Sequence, residues 1–316
     1  MKNRLEYFPI TLYAVVMGIT GLAIAFSKYS QLDWLPDIFY KASLIFVSAL
    51  FILITVLYFL KTIYHFKEVK KDFKHRIRIN FFSAISISFL LLSIAYHPMS
   101  HNISKVLWWI GLVLHTYMML HTIAFWIQHN FEIRFFNPAW FIPVVGNILI
   151  PIMGVEFMPR SFSFFYFSVG GFFWIILFTI FLNRVVFHDQ MPQKFIPTLF
   201  ILIAPPAIGF VSYYKLTNQW DLLGEFLLNI TFFFVLLIAF LAKSFKNIKF
   251  FVSWWAFTFP LDALTIASAL AYQVSGNDIY KYISFAGFVL ALSFIIIVSY
   301  KTIEKIRKHE ICVNEE

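Results

Sequence analysis

Histidine is the residue type in this chain best suited to metal or acid–base chemistry, and it recurs at a suggestive spacing. His97 and His101 lie four residues apart, and His115 and His121 follow in the next apolar stretch. Two histidines four residues apart on a helix present both rings to one ion. Pro98 stands between this pair, however, and argues against a continuous helix there. No carboxylate or cysteine adjoins them to complete a ligand shell. Packing or interfacial roles suit these histidines better, so no metal and no other cofactor is expected. His188 beside Asp189 is an equally thin constellation. Cys312 is the only cysteine and lies near the C-terminus, which removes disulfides and cysteine-based metal sites from consideration.

Ionisable groups inside apolar stretches are the next candidates, because proton-coupled carriers use them as relays. Such groups are scarce. Asp262 is the clearest, with Glu156 and Glu225 nearer the ends of their stretches. Asp262 follows Phe259-Pro260-Leu261, so it either faces a cavity opened by a proline kink or pairs with a polar group on a neighbouring helix. No row of arginines or lysines runs along any apolar stretch. An anion crossing here would therefore meet weak dipoles, such as the N–H groups and partly positive ends of broken helices. Weak binding permits fast release, which suits a channel better than a high-affinity carrier.

The elements that position these residues follow from composition. The chain is 60% hydrophobic and 13% charged, with a mean hydropathy of +0.78. An ordinary soluble domain carries about a quarter charged residues and is excluded. Ten stretches are long enough to cross about 30 Å of hydrocarbon. They lie near 7–27, 37–64, 79–96, 104–128, 138–155, 164–184, 195–214, 220–242, 252–271 and 279–302. They leave short connections, and residues 1–316 read as one transmembrane domain. The first stretch has no small-residue cleavage pattern after it and reads as a retained span.

Orientation follows from loop charge. Lys2, Arg4, Lys61, the run over 67–78, Arg134, Arg184, Lys194, Lys243, Lys246, Lys249 and the segment from Lys301 to Lys308 fall on one side. Only Lys28, Lys105, Arg160, Lys215 and Lys281 fall opposite, with Lys41 near that end of the second span. The formal charge of +9 thus marks a cytoplasmic face with both termini on it, in a plasma (inner) membrane, and not a nucleic-acid partner. The run over 67–78 reads as a solvated loop near anionic headgroups.

The prolines are unevenly distributed. Pro9 falls in the first span, Pro138, Pro143 and Pro151 in the fifth, Pro197, Pro205 and Pro206 in the seventh, and Pro260 in the ninth. Even-numbered spans have none. A proline inside a helix costs about 3 kcal/mol and frees a carbonyl, which in lipid must face protein or a water-filled cavity. The expected architecture is all-α, with five hairpins, the odd helices forming an inner pore ring and the even ones an outer wall. Gly18 and Gly21 suit either a close helix contact or a thin pore wall.

Four of these segments carry a family resemblance. They are Phe8-Pro9-Ile10-Thr11-Leu12-Tyr13-Ala14-Val15-Val16-Met17-Gly18, Asn137-Pro138-Ala139-Trp140-Phe141-Ile142-Pro143-Val144-Val145-Gly146-Asn147, the run from Phe195-Ile196-Pro197-Thr198 to Ala204-Pro205-Pro206-Ala207, and Trp254-Trp255-Ala256-Phe257-Thr258-Phe259-Pro260. Together they resemble the tellurite-resistance/dicarboxylate transporter family, which includes bacterial TehA and the plant guard-cell slow anion channels. The resemblance spans nearly the whole chain. It implies a homotrimer with one pore per protomer, and a phenylalanine of the ninth helix plugging that pore. By motif position the plug is Phe259, with Phe257 as alternative if the register slips by two. Pro9, Ala14, Gly18, Pro143, Gly146, Asn147, Pro205, Pro206 and Pro260 are expected to line or kink the pore. Two positions depart from the pattern: Ala14 stands where relatives often have glycine, and Asp262 where many have an apolar residue. The implied activity is passive conduction of small anions across the bilayer, and not catalysis. The alternative is a proton-linked carrier of malate-like C4-dicarboxylates or an oxyanion, linked to tellurite resistance, with Asp262 titrating.

Overall fold

A computed structural model describes residues 2–246 and 248–313, and among them every regular element is a helix. Nine helices are long and apolar enough to cross a membrane. In chain order these are α1 (Ile10–Gln31), α2 (Asp37–Tyr64), α3 (Arg78–Tyr96), α4 (His101–Gln128), α5 (Pro138–Phe157), α6 (Arg160–Phe187), α7 (Gln193–Thr217) and α8 (Leu222–Phe245), followed after a gap by α10 (Asp278–Arg307). The segment expected as the ninth span is helical too, as α9 (Thr258–Ser275), but it is not among the nine. Its polar residues Asp262, Thr265, Ser268 and Gln273 dilute its hydropathy, and twelve of its positions are buried. Of the ten expected spans, nine thus pass by length and apolarity among the described residues, and the other is a more polar helix.

Burial alternates along the chain. In the most apolar stretch of α1, α3, α5 and α7, 72–83% of residues are buried, against 22–28% in α2, α4, α6, α8 and α10. Each even helix turns a single stripe inward. On α2 that stripe is Tyr40, Leu44, Val47, Phe51, Ile54, Tyr58 and Lys61, at alternating steps of four and three. Its remaining faces, including Ile45, Ile52 and Phe59, are apolar and exposed, as lipid requires and water would not permit. Each odd helix packs beside the even helix that follows it. The odd helices also meet each other in a closed circuit: α1 touches α3 and α9, α9 touches α7, α7 touches α5, and α5 touches α3.

The odd helices share a second trait. Each begins on the basic face with 3-10 turns before becoming α-helical: Ile10–Leu12 in α1, Arg78–Phe82 in α3, Pro138–Phe141 in α5, Gln193–Ile203 in α7, and Val252–Phe257 leading into α9. Helix α5 returns to 3-10 geometry at Gly146–Leu149. Most of the prolines sit at these transitions, whereas Pro197 lies inside the 3-10 segment of α7. Pro143, Pro151 and Pro205 occupy the first turn of their α segments, where no intrahelical N–H is needed, so the cost of a mid-helix proline is largely avoided. Pro9 precedes α1 in extended conformation (φ −84°, ψ 136°) and starts that helix instead of kinking it. Helix α3 makes the same 3-10 entry without any proline.

Candidate functional site

A cavity of about 390 Å³ lies inside the circuit of odd helices. All five odd segments wall it and no even helix does. Along α1 the wall is Thr11, Ala14 and Met17, along α3 Phe81, Ala84 and Ile87, and along α5 Ile142, Val145, Gly146 and Leu149. These are single helical stripes running inward from the basic face, and each stops about halfway along its helix. Among the described residues no Asp or Glu lines the cavity, whereas His75, Arg78 and Lys194 do.

The expected site residues divide between this wall and the packing behind it. Ala14, Gly146, Pro205, Pro260 and Phe259 line the cavity. Gly18 does not. A Cβ there would come within 2.8 Å of the Thr258 Cβ, so it belongs to the close crossing of α1 and α9. Pro143 and Pro206 are buried outside the lining. Asn147 is buried too, its amide donating to the Val144 carbonyl (2.7 Å) and to Met119 Sδ (3.0 Å). Phe257 and Phe259 face different surroundings. Phe257 packs among aromatic rings, with Phe200 at 4.7 Å and Phe294 at 5.1 Å between centroids. Phe259 is half-buried and presents its ring to the cavity.

Asp262 takes neither of its two expected positions. It is fully buried and absent from the cavity lining, and both carboxyl oxygens lack a hydrogen-bond partner among the described residues. The carboxyl fills the space left by Gly21 of α1, where an added Cβ would lie 2.6 Å from Oδ2. The histidines disperse. The rings of His97 and His101 are 5.7 Å apart, His115 Nδ1 pairs with Ser86 Oγ at 2.9 Å, and His121 lies 4.6 Å from the Phe73 ring. Among the described residues no three His, Cys, Asp or Glu side chains converge. His188 is exposed, and beside it the Asp189 carbonyl accepts from the buried Arg184.

The charge run over 67–78 was expected to be a solvated loop, and this is corrected. Its first part is a short amphipathic helix, Phe66–Lys74, that buries Val69 and Asp72. Asp72 Oδ2 accepts from Lys61 Nζ at 2.7 Å, and Oδ1 from Arg78 Nη1 at 2.5 Å. Lys61 is itself buried and also donates to the Phe8 carbonyl at 2.9 Å. Next along the chain, His75 Nδ1 accepts from the backbone N–H groups of Ile77 (3.1 Å) and Arg78 (3.2 Å). Arg78 is thereby fixed from two sides at the cavity mouth. Lys194, in the first turn of α7, lines the same cavity, and its carbonyl accepts from the Ser253 hydroxyl at 2.6 Å, tying α7 to the approach of α9. Arg78, Lys194 and the buried pair were missed by sequence reasoning. The only signal was one aspartate set within a run of lysines, which loop hydration explains as readily.

Comparison with known proteins adds a family. The model of the SLAC1 family, described as voltage-dependent anion channel, matches residues 7–303. An uncharacterized transporter of Methanocaldococcus jannaschii is 25% identical over 98% of both chains. Two Arabidopsis thaliana proteins are also similar. The S-type anion channel SLAH2 is 27% identical over 83% of this chain and 52% of its own. The guard cell S-type anion channel SLAC1 is 24% identical over 83% of this chain and 49% of its own. The chain thus spans about half the length of these plant relatives.

Proposed function

The chain belongs to the SLAC1 family of voltage-dependent anion channels, and from that premise we propose that it conducts small anions passively, as TehA-type channels do, through a pore walled by α1, α3, α5, α7 and α9 and occluded by Phe259. The observation that carries this reading is the cavity: odd helices alone wall it, cations and, among the described residues, no carboxylates line it, and Phe259 is part of its wall. A pore so lined attracts anions at its mouth and offers them only weak partners inside. Ten spans in five hairpins, with both termini on the basic cytoplasmic face of a plasma (inner) membrane, complete the proposal. The apolar faces of the even helices would meet lipid or neighbouring copies in a homotrimer.

Replacing Phe259 by alanine should raise anion current in planar bilayers, with reversal potentials that follow the anion gradient when chloride is exchanged for nitrate or a larger anion. Unchanged current from well-folded Phe259→Ala protein would remove Phe259 as the gate. A second reading has its own observation, the buried carboxyl of Asp262 with no partner. On that reading Asp262 carries a proton during transport of a dicarboxylate or oxyanion. Uptake into liposomes that requires a proton gradient and is lost in Asp262→Asn would favour it, while electrogenic flux independent of pH would exclude it.

A further inference from the structure

Behind the cavity wall, between α1, α2 and α3, lies a separate crevice of about 480 Å³. Neighbouring residues of the wall divide between the two spaces. Ala14, Phe81 and Ala84 line the cavity, whereas Tyr13, Phe82 and Ile85 line the crevice. The last turns of α2 and the amphipathic helix Phe66–Lys74 close its other sides. Phe59 and Phe66 line it while remaining exposed, so it opens where apolar side chains meet lipid. Aromatic rings make up most of its lining, and its two threonine hydroxyls are engaged. Thr55 accepts from the Tyr13 hydroxyl at 3.2 Å, and Thr62 donates to the Tyr58 carbonyl at 2.9 Å. The Tyr58 hydroxyl differs. That residue is only 6% exposed, and its oxygen has no hydrogen-bond partner among the described residues, a state that buried hydroxyls rarely keep.

The amphipathic helix sets charge of one sign beside this groove. Phe66, Val69 and Phe73 form its apolar stripe and line the crevice. Lys67, Lys70, Lys71 and Lys74 form a second stripe at i, i+3, i+4 and i+7, and Lys70, at the border between the stripes, lines the crevice as well. Lys67, Lys70 and Lys74 are exposed and in no ion pair among the described residues. The two acids of the helix are already engaged, Glu68 with Lys71 at 2.7 Å and Asp72 with Lys61 and Arg78. A short basic helix with one apolar stripe suits the headgroup region of an anionic leaflet.

We propose that the crevice binds one anionic phospholipid from the leaflet on the basic face. An acyl chain lies against the aromatic lining, the phosphate sits beside Lys70, and a glycerol-ester carbonyl accepts from the Tyr58 hydroxyl. A zwitterionic lipid with the same chains fills the groove but brings no net charge to the lysines. A water-soluble phosphate meets the lysines but neither the groove nor the tyrosine. The bound lipid touches the helix whose Asp72 holds Arg78 at the cavity, so its presence steadies that residue. The site itself rests on membrane embedding and not on conduction.

The test is native mass spectrometry of the full-length protein in a neutral detergent, titrated with dioleoyl phosphatidylglycerol or with dioleoyl phosphatidylcholine. One phosphatidylglycerol per chain should be retained, with about fivefold or greater preference over phosphatidylcholine. Lys70→Gln, at an exposed position, should reduce that preference about fivefold, the effect of one cation beside an anionic lipid. Tyr58→Phe should weaken both lipids several-fold, since both carry the ester. It should leave the melting temperature of the lipid-free protein unchanged or higher, because it removes an unpaired buried hydroxyl. Lys243→Gln, exposed near the end of α8 on the same face, should change nothing. Equal retention of the two lipids would overturn the site, as would a loss in Lys243→Gln as large as in Lys70→Gln, which marks general attraction to the basic face. Binding unchanged in both Lys70→Gln and Tyr58→Phe would overturn it too, and displacement of the lipid by glycerol 3-phosphate would show that the headgroup alone suffices. Retained lipid beside an inactive Phe259→Ala protein would sink the channel reading alone, and conduction without retained lipid would sink this site alone.

Discussion

Removing the lysine of the buried Lys61–Asp72 pair should cost more than removing both partners. Lys61→Met keeps the length and apolar stem of the side chain but leaves Asp72 Oδ2 and the Phe8 carbonyl without their donor. Breaking a buried pair from one side typically costs about 3–5 kcal/mol. Asp72 retains Arg78 on its other oxygen, so the low end, about 3 kcal/mol, applies. Asp72→Leu strands the Lys61 ammonium, whose side chain is only 3% exposed, with a single carbonyl, and should cost about 4 kcal/mol. Lys61→Met combined with Asp72→Leu removes both buried charges. What remains is one unmatched carbonyl and an Arg78 that is 38% exposed and can turn to water, a loss of about 1–2 kcal/mol. The unfolding entropy of globular chains is about 2.1 cal/mol/K per residue. Over 316 residues it converts 3 kcal/mol into a melting shift of about 4–5 °C. Helices that persist in detergent lower that entropy, so the figure is a floor. Thermal scanning of the purified variants in one detergent reads all three. A double variant that melts as low as the sum of the singles, or a Lys61→Met protein that melts like the parent, would refute the reasoning.

The glycines of α1 and α6 should behave oppositely. Gly18→Ala and Gly21→Ala each push a methyl into α9, within 2.8 Å of Thr258 Cβ and 2.6 Å of Asp262 Oδ2 respectively, and each should lower stability by about 1–3 kcal/mol. Gly171→Ala meets nothing within 4 Å and should raise it by up to about 1 kcal/mol through helix propensity, all three read as melting shifts. Asp221 caps α8 by accepting from the N–H groups of Leu223 and Gly224, and it also accepts from the Tyr213 hydroxyl at 2.6 Å. The tyrosine bond, and then the backbone bonds, hold its carboxyl below the ordinary 3.8. A lowered native value means that the contribution is complete above pH 3.8 and is lost as the pH falls below it. Asp221→Ala should therefore melt lower than the parent at neutral pH, and the gap should close in acid; a gap that persists there would show the carboxylate is not its source.

Much of this architecture can be read along the chain. Hydropathy marks nine helical stretches to within a few residues, while the polar residues of α9 weaken its signal, and the alternation of prolines separates the buried helices α1, α5, α7 and α9 from the exposed ones. Helix α3 escapes that signal, because its 3-10 entry at Arg78–Phe82 contains no proline. Its membership of the inner set shows only in the residues packed around it. The cavity wall is half legible. Ala14 and Phe259 line it, while Gly18, one helical turn from Ala14, has rotated onto α9. A turn of four residues overshoots a full circle by about 40°, enough to move a side chain from a lumen to a helix crossing.

Sequence alone determined what depends on a residue and its near neighbours. Partition between lipid and water sets the helices, loop charge predicts their orientation, and motif spacing indicates the family. Tertiary structure decided what depends on phase and distance. It turned Asp262 into the gap beside Gly21, gathered Lys61, Asp72 and Arg78 into one buried network, and set Arg78 and Lys194, from segments far apart in the chain, at the mouth of one cavity. Hydrophobicity is a property of each residue and survives in one dimension. A hydrogen bond exists only once two chain segments have been brought within about 3 Å, and only the packed helices do that.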